Sequence, residues 1–221
     1  MNLNRLLARM LVSGLAAVGF GASAAPLTGA VSSAGTLCLG MNPGQVVGAT
    51  CTAQDVATLR FFDFINGGMG GMTATPGAPG SLMFLTASGD LLPVIGQTGL
   101  INDFAIPGPG DPLSSFAAVN PLWTVTGTDG ATYTYMLASL TSIDRSNANA
   151  LDVRGTGTLC RNGTDCNLFT FLFTTQNAGG AIRTTFSASQ SGSAKVAEPA
   201  SLTLLGLGLA GLAFGARRRR R

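Results

Sequence analysis

Any chemistry in this chain has to be built from cysteines, aspartates and a few aromatic rings. Its 221 residues contain no histidine, so the side chain that most often serves as general base or metal ligand is missing. The one glutamate, Glu198, stands near the C-terminus. A glycosidase needs only two carboxyl groups at a defined separation, yet the nine aspartates are scattered over turn-like stretches and their pattern singles out no pair. The sequence therefore reads as not an enzyme, with no cofactor. Calcium is weighed at Asp144, Asn147, Asn149 and Asp152, which are oxygen ligands within one loop. The EF-hand spacing and its closing glutamate are absent, and Asn and Asp favour turns for their own reasons, so a solvated loop is expected there and no metal site.

The four cysteines form two near-neighbour pairs. Cys38 and Cys51 flank a Met41-Asn42-Pro43-Gly44 turn, and Cys160 and Cys166 flank a loop containing Asn162-Gly163. Without histidine or a C-x-x-C pair the zinc-ligand spacing is lacking. In an exported chain this grouping points to local disulfides. Three connectivities are open to four cysteines, and 38–51 with 160–166 is the expected one, each bridge tying a hairpin. A loop of about a dozen residues closed this way contributes about 3 kcal/mol. Trp123, Tyr133 and Tyr135 are the candidate glycan contacts, since sugar platforms use exposed rings. Tyr133 and Tyr135 share a strand face with Leu137, a pattern that favours core packing.

The two ends of the chain are better defined than its middle. Arg5 and Arg9 precede an apolar run from Met10 to about Phe20, and Ala22-Ser23-Ala24 then offers a small-x-small cleavage site, with Ala25 as the first mature residue. This is the three-part pattern of a secretory signal peptide. At the other end the residues from Ala200 to Ala216 carry no charge, about 25 Å of helix at 1.5 Å per residue. Arg217, Arg218, Arg219, Arg220 and Arg221 follow as a stop that the positive-inside rule places in the cytoplasm. Between residues 26 and 197 six basic residues face nine aspartates, a net charge of −3. The positive excess lies in the ends, and the body has no electrostatic footprint for nucleic acid.

Val196-Ala197-Glu198-Pro199, the run Leu205-Gly206-Leu207-Gly208-Leu209-Ala210-Gly211-Leu212 and the five arginines together resemble the PEP-CTERM sorting signal of Gram-negative bacteria. Ala197 stands where that family usually has its first proline. The resemblance implies recognition and cleavage of the tail by an exosortase, a membrane-embedded cysteine transpeptidase-like enzyme, in bacteria that make exopolysaccharide. Signal peptidase, the membrane through the C-terminal helix, and exopolysaccharide are the other implied partners. The implied location is the inner membrane in passing, then the cell surface or extracellular matrix.

The scarcity of strong helix formers and the recurrence of Thr, Val, Phe and Gly-containing turns make the body all-β. Strand runs are read at 31–39, at Val46-Val47 beyond the 41–44 turn, at 58–65 and at 81–86. The proline-rich stretch 102–121 is read as a long surface crossover. A hairpin follows at 122–126 and 131–140, then strands at 151–159, 167–176 and 181–189 as a meander. In 167–176, Phe169, Phe171 and Phe173 occupy one face and Leu168 and Leu172 the other, as in a strand covered on both sides. Residues 155–159, 169–176 and 186–189 resemble the closing strands of β-sandwich ectodomains that precede such tails. The expected organisation is a signal peptide at 1–24, an antiparallel, jelly-roll-like β-sandwich at 25–190, a Ser-rich linker at 191–196 and the sorting signal at 197–221, with one signal helix and one transmembrane helix. The function expected is that of a non-enzymatic surface or matrix protein linked to biofilm, with a secreted carbohydrate-binding module as the alternative.

Overall fold

The computed structural model describes residues 26–40, 56–65, 79–177 and 184–192. Among the described residues there are ten strands: β1 (Gly29–Gly40), β2 (Phe61–Phe64), β3 (Gly80–Ala87), β4 (Thr98–Ile101), β5 (Phe104–Ala105), β6 (Val119–Thr126), β7 (Thr132–Asp144), β8 (Ala150–Arg161), β9 (Asp165–Asn177) and β10 (Thr184–Gly192). Short 3-10 turns occupy 56–58, 89–94 and 113–115. The strand runs read from the sequence meet strands wherever they fall on described residues, while Val46-Val47 and residues 181–183 lie outside them. β4 and β5 are additional, and the 102–121 stretch is more structured than expected, since β5 and the start of β6, including Pro121, lie within it.

The sheet closes on itself. In hydrogen-bonded order it runs β10, β9, β8, β7, β6, β4, β3, β1, and β1 pairs again with β10, giving an eight-stranded antiparallel barrel. β1 is long enough to hold β3 along its first half and β2 along its second, and β5 adds to β2 as a short flap. One continuous ring thus stands where two facing sheets were expected. Consecutive hairpins from β6 to β10 keep adding neighbours in one direction, and strand twist brings the last of them back to β1.

A closed sheet has a single interior, and alternate residues of each strand fill it. Tyr133, Tyr135 and Leu137 of β7, Leu151, Val153 and Leu159 of β8, and Phe169, Phe171 and Phe173 of β9 are all buried. Rings run through this interior in file: Phe84 to Trp123 at 5.0 Å, Trp123 to Tyr135 at 5.7 Å, Tyr135 to Phe171 at 6.1 Å, and Phe171 to Phe173 at 6.0 Å. Phe62, Phe64 and Phe104 of the β2/β5 flap pack on Phe173 at 5.0–6.1 Å. The two-sided burial expected for β9 is therefore corrected. Leu168 and Leu172 point outward, and Leu168 is 63 % exposed, because the outside of a barrel has no second sheet against it.

Two glycines make room for the file of rings. Gly155 and Gly157 face inward on β8. A Cβ on Gly157 would collide with the Met136 carbonyl and the Tyr135 ring, and one on Gly155 with the Ser139 carbonyl. Register shifts between Leu137 and Ser139 and between Leu140 and Ser142 bend the adjoining strand β7 at the same level, the behaviour of β-bulges where a barrel wall curves.

Candidate functional site

The expected sorting motif, Val196 to Pro199, the arginine stop at 217–221 and the cleavage site at Ala22, Ala24 and Ala25 lie outside the described residues. Among the described residues no helix is long and apolar enough to cross a membrane. The expected signal helix and the 200–216 run also lie outside the described residues.

Of the expected bridges, Cys160–Cys166 is formed, closing the β8–β9 hairpin with Cα atoms 4.1 Å apart. The hairpin turn is shaped for it, since Asn162 and Gly163 both take positive φ, as the Asn-Gly pair allows. Cys38 is also disulfide-bonded. Its expected partner Cys51 lies outside the described residues.

Trp123, Tyr133 and Tyr135 do not form a sugar platform. They are 2 %, 0 % and 0 % exposed, because their strand positions share the inward face with Leu137. Tyr133 is tied at the rim: its hydroxyl lies 3.1 Å from Asp129 Oδ2 and 3.3 Å from the Asp90 carbonyl. Arg161 donates to the same Asp129 oxygen at 2.6 Å and sits with its guanidinium 6.0 Å from the centre of the Tyr133 ring. Burial acts to raise the Asp129 carboxyl, but the Ala131 N–H, the Tyr133 hydroxyl and Arg161 outweigh it and hold it below its ordinary value.

Two of the four residues weighed for calcium spend a side-chain oxygen on the loop's own backbone. Asp144 accepts from the Ser146 N–H and Asn147 from the Asn149 N–H, both at 2.9 Å, as side chains that shape turns do. Asp144 and Asp152 are register partners across β7 and β8.

The outer face of β7 to β10 holds a groove of about 450 Å³. Thr141, Arg154, Thr156, Thr170, Leu172 and Ser189 line it. Its wall is a ladder of hydroxyls: Ser139 bonds Thr156 at 2.9 Å and Thr170 bonds Ser191 at 2.7 Å. Arg154 is the one cation among the groove's lining residues. Sequence reading passed over these residues because they are the polar half of each strand's alternation, and only the fold collects them.

A second site was also missed. Asp63 sits in Phe-Phe-Asp-Phe, the strand β2, opposite Cys38 of β1. Phe62 and Phe64 enter the core, so alternation turns Asp63 to the other face, where it is nevertheless only 1 % exposed. Neither carboxylate oxygen has a hydrogen-bond partner among the described residues. Asp103, between β4 and β5, accepts the N–H of the next residue, Phe64, at 2.7 Å, which sets two carboxyl groups close together. Burial first, and the Asp103 charge second, raise the Asp63 pKa to about 6.

The family model of the PEP-CTERM protein-sorting motif matches residues 196–220. Neither a curated protein nor a solved structure matches the chain.

Proposed function

With a PEP-CTERM protein-sorting motif at residues 196–220 as the premise, we propose that this chain is a non-enzymatic surface or extracellular-matrix protein. It is exported through its signal peptide, held at the membrane by its C-terminal segment, released near Glu198-Pro199 by an exosortase, and then works in an exopolysaccharide-rich matrix. The motif match carries this reading. The barrel is consistent with it, being a core filled by its own side chains and stapled at the β8–β9 hairpin, a form suited to an exposed, oxidising location. Cell fractionation tests it. The intact chain is expected to leave the membrane fraction in cells that have the exosortase and to stay there in cells that lack it. Deleting Arg217 to Arg221 is expected to abolish membrane retention. If the truncated and intact chains distribute alike, the sorting role falls.

The groove on β7 to β10 favours the second reading, a carbohydrate-binding module. Hydroxyls and a single arginine in a groove of the outer wall can exchange hydrogen bonds with sugar hydroxyls and carboxylates. Binding of an acidic polysaccharide, weakened at least tenfold by Arg154→Ala, is the expected result. Equal binding by both proteins would remove the groove from consideration.

A further inference from the structure

Six large apolar side chains stand exposed among the described residues: Met83, Leu85, Leu92, Ile95, Leu100 and Leu168, each 43–63 % accessible. Five of them follow one edge of the barrel. The Gly96 N–H donates to the Phe84 carbonyl at 2.8 Å and the Phe84 N–H to the Gln97 carbonyl at 3.0 Å, which lays Ile95 alongside Met83 and Leu85. Met83 registers with Thr98, two residues from Leu100, and the Leu92 carbonyl accepts from the Ile95 N–H. Thr98 opposite Met83 and Ser81 opposite Leu100 are the polar members of this face, and five large apolar side chains gathered on one part of a β surface call for a partner.

The strip ends where the chain leaves the barrel. Gly192 closes β10 and registers with Gly29, and Gly29 backs onto the Ser88 backbone, immediately before the 3-10 turn that carries Leu92. On its other side Gly192 lies against the Leu168 carbonyl. Seven residues then lead from Gly192 to Ala200, where the uncharged run begins, a reach of at most about 28 Å. A tether this short holds the exit end against whatever surface receives the run.

We infer that Leu85, Leu92, Ile95 and Leu168 seat the barrel on a lipid bilayer while the tail is attached, an inference that rests on the reading of residues 200–216 as a membrane segment. The seat depends on apolar burial. Of the charged groups at this end, Asp129 is paired with Arg161 and Asp90 accepts from Thr28, and Asp165 adds a further negative charge. Among the described residues there is no basic excess to read anionic headgroups, so a zwitterionic surface suffices and added salt does not weaken the contact. The seat would also hold the exit strand, and with it the linker to Glu198-Pro199, at the bilayer surface, where a membrane-embedded enzyme can reach that motif.

The test uses the full chain in phosphatidylcholine vesicles, with and without brominated acyl chains, carrying Leu92→Trp, or Ile95→Trp as the second variant. Ser114→Trp, in the 3-10 turn at the opposite end, is the control, and the buried Trp123 is a common background. Brominated lipid is expected to quench the added emission about twofold or more at position 92 or 95 and to leave position 114 unchanged, at low and high salt alike. Vesicle-bound chains in which neither 92 nor 95 is quenched overturn the seat and leave the anchor standing. A blue shift at 92 that grows with protein concentration and ignores bromination assigns the strip to a second copy, and also overturns it. Chains that fail to float with vesicles overturn the anchor reading and the seat together.

Discussion

Replacing Asp63 by Asn tests whether the flap on β1 carries a buried carboxyl that the fold stabilises only in its neutral form. The free carboxyl titrates at 3.8, and in the folded chain burial and then the Asp103 charge raise it to about 6. Between these values the native state keeps a proton that the unfolded chain has released, so stability falls as pH rises. The contribution is fully present below 3.8 and is lost above about 6. The difference amounts to about 3 kcal/mol. An amide at this position cannot ionise, so the Asp63→Asn protein should lose this fall and above about pH 7 melt about 6–10 °C higher than the parent. Thermal unfolding followed by circular dichroism from about pH 4 to 8 measures both curves. The slope is the discriminating quantity, because a buried amide without partners has its own fixed cost that displaces the curve without tilting it. Parallel curves for parent and variant would refute the argument, by showing that Asp63 ionises in the folded chain as freely as in water.

Three further changes probe the barrel. Gly157→Ala places a methyl group against the Met136 carbonyl and the Tyr135 ring and should cost about 2–3 kcal/mol in urea unfolding; a cost below about 0.5 kcal/mol would mean the wall yields at this level. Phe173→Ala removes the ring on which Phe62, Phe64, Phe104 and Phe171 converge, with an expected loss of about 3–5 kcal/mol and a matching drop in urea midpoint. Cys160→Ser with Cys166→Ser opens the small loop of the β8–β9 hairpin, and chain entropy sets the loss at about 2 kcal/mol, readable as a lower melting temperature; reducing agent should lower the parent further still, because the Cys38 bridge opens too.

Alternation made most of the strands legible in the sequence. The inward set on β7 and β9 follows from Tyr133, Tyr135 and Leu137 and from Phe169, Phe171 and Phe173, and the Asn162-Gly163 turn between flanking cysteines announces its hairpin. What alternation cannot say is whether a sheet is covered on its second face. Leu168 and Leu172 looked like the far side of a covered strand and are instead its outside, so a two-sheet reading and a barrel reading share the same local pattern. The deciding contact, β1 with β10, joins residues at opposite ends of the body, and no window of sequence contains it.

The same limit explains which sites were missed. Gly155 and Gly157 could have been read as close approaches, since glycines two apart in a strand fall on one face and leave it bare, but the ring that fills the space, Tyr135, belongs to the neighbouring strand. Asp63 carried a local signal too, as an acid among phenylalanines in a strand, yet its neighbour Asp103 is supplied by the loop between β4 and β5. The apolar strip was visible only as ordinary hydrophobic residues in β3, β4 and the turn between them. Its meaning depends on where Gly192 lets the chain go. A core residue and a lipid-facing residue have the same side chain, and only the closure of the barrel separates Phe84, pointing in, from Met83 and Leu85, pointing out. If the seat holds, cutting the tail removes the tether that kept this strip at the bilayer, and the released barrel must then find another cover for it. On that reading, the apolar surface that orients the chain before cleavage is also the surface left uncovered afterwards.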